Sequence, residues 1–256
     1  NIKNVGYYSY YIKQSTNLKY FTFFSIFEDK LGFSVKYQIL DSELAFVADG
    51  VFEIKQKDIV LKSFKINDNG VVYAVMAHQI KGSDANDYLY DQLYSFIYNP
   101  TLQEGLEQHN EKTEGLRFKN VVTEIDNFSN RAFAVANYKN VENTDDIGLF
   151  ILSTEPASNH TLQHRYPYTK EAMNLLHSYD AKDWKDQAMI IRPKQILTQS
   201  DGGCLVISEG QYQYTKVVRS APITYPYSMY GDVYTKAYDQ NHYFDISATS
   251  IDGNGR

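Results

Sequence analysis

Residues 189–212 read MIIRPKQILTQSDGGCLVISEGQY, and their pattern decides the fold class. An apolar run ends near Gln199, the tetrad Ser200-Asp201-Gly202-Gly203 follows, and a second apolar run begins at Cys204. Glycines behind an aspartate supply the left-handed backbone positions that a tight hairpin turn requires. The stretch therefore predicts two antiparallel strands. Residues 60–78 have the same layout around Asp68-Asn69-Gly70, and residues 118–138 repeat it around Asp126-Asn127-Phe128-Ser129-Asn130. Three such hairpins, each preceded by a similar strand, predict a repeat protein.

Working outward, residues 33–40 (FSVKYQIL) set Val35, Tyr37 and Ile39 against Ser34, Lys36 and Gln38, the period of two that marks a two-faced sheet. Residues 5–13 and 19–27 are two aromatic strands. A module of strand, turn, strand, strand, turn, strand then fits residues 33–91, 92–146 and 147–242, with 1–32 as part of a module and 243–256 as the start of another. The expected fold is all-β: a single β-propeller domain over residues 1–256, built of four-stranded antiparallel blades and part of a longer propeller. A sandwich or jelly roll also uses many short strands but gives no reason for one order to recur three times.

Composition sets the outer bounds. The chain has 256 residues, a formal net charge of −6, 23 Tyr and 14 Phe but only 6 Pro, an aromatic bias that favours strands. An acidic chain without a Lys/Arg-rich run argues against nucleic-acid binding, because phosphates would have to be neutralised. No apolar run reaches the ~18–20 residues of a membrane-spanning helix. The opening residues carry neither a basic n-region nor an apolar h-region, so no signal peptide is read in them. The single cysteine, Cys204, excludes an internal disulfide and reads as a small buried strand residue.

If each module is a meander, the tight turns fall on one rim and the long connections (78–91, 137–146, 169–187 and 210–242) on the other. Long loops on a rigid scaffold are where binding is usually found. Residues 169–187 predict a short helical insertion with Thr169 as N-cap and Met173, Leu176 and Trp184 on its apolar side. Residues 210–242 are Tyr-rich, and tyrosine joins a large contact area to a hydrogen-bonding hydroxyl. The candidate binding residues are Tyr225, Tyr227, Tyr230, Tyr234 and Trp184. The competing readings are a helix that only packs on the rim and tyrosines that pack on one another.

Chemistry-bearing motifs are sparse. His160 and His164 have the spacing of a helical metal pair but fall in a strand. Asp252-Gly253-Asn254-Gly255 resembles the start of a calcium loop without its later acidic ligand. No carboxylate pair stands out by spacing, and there is neither a phosphate-binding glycine loop nor a nucleophile elbow. No catalytic residue, metal or cofactor is expected.

The stretches ILTQSDGGCLVISEGQY, YFDISATSIDGNG and FKINDNGVVYAVMAH, the last behind a strand with an LDSEL turn, resemble the repeats of large exported β-propeller-like proteins of Bacteroidota-type bacteria. The resemblance covers about residues 20–256, and the second repeat departs from it at Asn127-Phe128-Ser129. It implies a propeller, export to the periplasm or cell surface, and no established enzymatic activity. Some outer-membrane secretion translocons and nutrient importers of these bacteria recruit soluble accessory or plug subunits. The expected function is thus a non-enzymatic protein-interaction subunit, docking on an outer-membrane or secretion/transport assembly through its loop-decorated face. The alternative is a carbohydrate-binding or carbohydrate-active propeller whose aromatic loops stack on sugars.

Overall fold

Alternating and continuous apolar runs become strands throughout. A computed structural model of the chain describes residues 7–28, 32–80, 89–100, 106–111, 113–143, 145–155, 160–169, 171, 191–219 and 235–252. The elements along them are strands: β1 (Tyr7–Gln14), β2 (Tyr20–Glu28), β3 (Phe33–Asp41), β4 (Phe46–Ile54), β5 (Ile59–Ile66), β6 (Val72–Gln79), β7 (Tyr90–Tyr98), β8 (Leu106–Asn110), β9 (Leu116–Ile125), β10 (Ala132–Asn140), β11 (Ile147–Glu155), β12 (His160–Pro167), β13 (Ile191–Thr198), β14 (Cys204–Arg219) and β15 (Thr235–Ile251). Among the described residues no helix is long and apolar enough to cross a membrane.

The strands pair as antiparallel meanders in chain order. β1 to β4 form one four-stranded sheet. β5 to β8 and β9 to β12 form two more, joined into an eight-stranded sheet by one residue pair, Tyr90 with Phe118. β13 to β15 form a three-stranded sheet. The three hairpins read from the sequence are β5–β6, β9–β10 and β13–β14, and each opens its meander.

That grouping corrects the frame drawn from the sequence. The sheets break after Ile54 and after Asn110, two strands away from the expected module boundaries, and β15 completes the sheet of β13 and β14 rather than opening a further module. The reason lies in the link between β4 and β5. The link 55–58 is pinned where the Asp58 N–H donates to Glu28 Oε1 at 2.9 Å, and the Gln79 N–H donates to the Asp58 carbonyl at 2.7 Å. This turns the chain out of one sheet and into the next, so β4 and β5 do not pair.

Successive sheets bury apolar faces against each other. Phe24, Val35, Ile39 and Phe52 of the first sheet meet Phe64, Met76 and Phe96 of the second meander. The opposite face of that meander (Tyr73, Val75, Leu93, Ile97) meets Phe118, Ala134, Tyr138 and Leu152 of the third. Phe133, Val135, Leu149 and Ile151 then meet Ile196, Cys204 and Val206 of the last sheet. β6 is buried from Val72 to Ala77 on both faces, which explains its unbroken apolar run.

The first hairpin turns share one backbone device. Gly70 (φ 79°) and Gly202 (φ 81°) hold the left-handed position, where a β-carbon is disfavoured. In the third meander Asn130 takes it (φ 60°), and asparagine tolerates that region better than most residues. The departing turn 126–131 is thus a variant of the same hairpin.

A candidate binding site at the long-connection end

Connections in each meander alternate between two ends of the sheet. At one end the opening hairpin turns of the four meanders are laced together. The Asn17 N–H donates to Asp68 Oδ1 at 2.7 Å. The Asp68 N–H donates to Asn127 Oδ1 at 2.9 Å, and Asn67 Nδ2 to Asn130 Oδ1 at 2.7 Å. Arg131 Nη1 donates to the Gly202 carbonyl at 2.8 Å. Polar side chains at this end are largely spent on one another.

The other end holds a pocket of about 600 Å³ between the second and third meanders, lined by Gln92, Glu111, Thr113, Glu114, Leu116, Phe150, Gln163 and Arg165. Among its polar lining groups Glu111 is only 3% exposed and stands just beyond β8. The Ser95 hydroxyl donates to Glu111 Oε1 at 2.5 Å, and Gln163 Nε2, from the third meander, donates to Oε2 at 2.8 Å. Gln92 Nε2 donates to the Glu111 carbonyl at 2.6 Å, and the Glu111 N–H donates to the Leu93 carbonyl at 3.2 Å. Backbone and carboxylate are therefore both fixed. Behind Ser95 the fully buried Tyr73 hydroxyl is held well above its ordinary pKa, by burial first and by the Glu111 carboxylate second.

Leu116 and Phe150, both buried, supply an apolar wall. Glu114 and Arg165 are exposed at the mouth, and Arg165 Nη1 lies 3.6 Å from Asp146 Oδ2. A second polar group stands at the same end: His78 Nδ1 is 2.6 Å from Asp91 Oδ1, and Lys62 Nζ donates to the Tyr90 hydroxyl at 2.5 Å. Among the described residues no group of three or more His, Cys, Asp or Glu side chains is placed to hold a metal ion. The arrangement can bind a ligand by hydrogen bonds and charge.

The sequence-predicted binding residues Trp184, Tyr225, Tyr227, Tyr230 and Tyr234 lie outside the described residues, as does nearly all of the expected helical insertion at 169–187. His164 sits in β12, where residues four apart along a strand are separated by roughly 13 Å, too far for His160 and His164 to share a metal. Cys204 is buried in the last core, with its thiol pushed up to about 11 by burial and then by Asp201. Sequence reasoning missed the pocket. Ser95, Glu111 and Gln163 stand on separate strands or links with no motif spacing. Their one signal was a serine inside the apolar run LYSFIY.

No protein-family model and no curated protein matches this chain. Among solved structures it is similar to the crystal structure of the polysaccharide lyase Uly1, with a TM-score of 0.31 and 6% sequence identity over 92% of this chain. The chain spans 57% of that protein's length. A likeness at this level carries no argument about activity.

Proposed function

We propose that the four meanders are successive blades of a β-propeller, the last of three described strands, and that the chain is a non-enzymatic interaction subunit. In this reading it is exported and docks on an outer-membrane or secretion/transport assembly through the end that bears the long connections. Meanders laid face to face in chain order are what a run of blades requires. The observation that carries the functional reading is the difference between the two ends. One end has its turn side chains hydrogen-bonded among themselves. The other keeps a polar pocket with a buried carboxylate at its base. A pre-formed polar concavity with a fixed carboxylate suits recognition.

The test is affinity capture of the full chain from a detergent-solubilised envelope fraction, followed by the charge reversal Glu114→Lys. A stoichiometric membrane-protein partner that is lost in Glu114→Lys supports docking. Binding on a glycan array, without any protein partner, selects the carbohydrate-binding alternative, for which the Gln92 and Gln163 amides would serve as partners for sugar hydroxyls.

A further inference from the structure

We infer that the Glu111 pocket receives a cationic group on an aliphatic stem, an alkylammonium or alkylguanidinium such as the end of a lysine or arginine side chain. This deepens the docking reading and rests on it for the source of that group. A carboxylate offers about four lone-pair sites. Glu111 uses two of them, for the neutral donors Ser95 and Gln163. No cationic side chain among the described residues pairs with it, whereas Lys65, Lys194 and Arg165 each stand within 4.0 Å of another carboxylate. A buried carboxylate met only by neutral donors is expensive, and a cation entering from the pocket would complete it.

The walls match the rest of such a ligand. Leu116 and Phe150 offer apolar surface to a methylene stem. At the mouth Glu114 adds a second negative charge, while Arg165, the one cationic side chain among the described lining residues, is already drawn to Asp146. The pocket is therefore negative at both depths. Anions and simple alcohols lack the matching charge.

The test is a side-chain amide NMR titration of the full chain, following Gln92 and Gln163, with n-butylammonium, n-butylguanidinium and n-butanol. Saturable shifts with both cations, with Kd on the order of millimolar for ligands so small, and none with butanol are expected. Glu111→Gln should raise Kd at least tenfold. Arg165→Gln, a surface change that leaves the fold intact, should lower it, because a competing positive charge is gone. Equal shifts with butanol, an unchanged Kd in folded Glu111→Gln, or loss of cation binding in Arg165→Gln overturns the assignment. The source is read by competition: n-butylammonium releasing a captured protein partner places a lysine or arginine of that partner in the pocket. Cation binding without any partner keeps this site as one for free amines and removes the docking reading. A partner captured without cation shifts removes this site and keeps docking.

Discussion

Asn67 and Asn130, 63 residues apart in the chain, meet side chain to side chain at 2.7 Å. The contact joins the opening turns of the second and third meanders. Asn67 is buried, and its Oδ1 also accepts from the N–H groups of Asn69 at 3.0 Å and Val71 at 2.9 Å. Asn67→Ala removes these bonds, together with the one from Asn67 Nδ2 to the Asp126 carbonyl at 3.5 Å, and strands the buried Val71 N–H, so it should cost about 2–4 kcal/mol. Asn67→Asp keeps the two accepted bonds but sets a buried carboxylate oxygen against the Asn130 Oδ1 and Asp126 carbonyl acceptors, and should cost at least as much. Urea unfolding checks this: a lower midpoint with an unchanged slope is expected for both, and a much smaller loss for Asn67→Asp would place the stabilisation in the accepted bonds alone.

Face-to-face packing makes a second prediction. The Phe52 and Phe96 rings stack with centroids 3.8 Å apart and planes 21° off parallel, across the core between the first two meanders. Phe96→Ala should cost about 3–5 kcal/mol, through lost transfer energy and the cavity left behind. Phe96→Leu, which keeps more of the volume, should cost much less. If the meanders instead folded as independent sheets, Phe96→Ala would unfold in two steps. One cooperative calorimetric transition is expected.

The hairpins were legible because their turns carry chemistry: a left-handed position filled by Gly70 and Gly202 and preceded by aspartate and asparagine. The turn at 126–131 read as an exception because Asn130 performs the glycine's part under a different residue name. The period of the repeat was legible too, but its phase was not. Similar strands in sequence do not say which neighbours pair and which pack face to face. That choice rests on the 55–58 link and the Glu28 to Asp58 bond, 30 residues apart, which no local pattern reveals. The pocket was hidden for a related reason, since Gln163 reaches Glu111 across 52 residues and between two meanders.

Alkali should unfold this protein through its buried phenols and its thiol. The Tyr37 hydroxyl is pushed up to about 12, by burial first, then by Tyr98 and Asp49. Tyr73, Tyr94, Tyr98 and Tyr166 are raised as well, burial being the first cause in each. Cys204 rises from 9.0 to about 11. A raised folded-state pKa means that the unfolded chain loses its proton first. Stability contributed by these groups is whole below about pH 9, begins to fall as the unfolded thiol ionises, and falls further above pH 10 as the unfolded tyrosines do. Tyrosinate absorbance followed with circular dichroism should show part of the phenols ionising only as the fold is lost. The Cys204 thiol should resist iodoacetamide at pH 8 until urea is added.

Phe128 separates the two ends of the molecule. It stands at the tip of the turn between β9 and β10, 96% exposed, beside a cavity of about 530 Å³ that Thr198, Gln199 and Gly202 help to line. An exposed phenylalanine would ordinarily mark an anchor for a partner. Here it lies at the laced end, away from Glu111. The turn beneath it holds without the ring, because Asp126 Oδ2 accepts from the Ser129 N–H at 2.8 Å and from the Ser129 hydroxyl at 2.6 Å. Phe128→Ser should therefore change stability by no more than about 0.5 kcal/mol and leave partner capture intact. Thermal melts and the same affinity capture decide it. Capture lost in Phe128→Ser but kept in Glu114→Lys would move the docking face to the laced end, because the phenyl ring is 96% exposed and its removal leaves the Asp126 to Ser129 bonds in place.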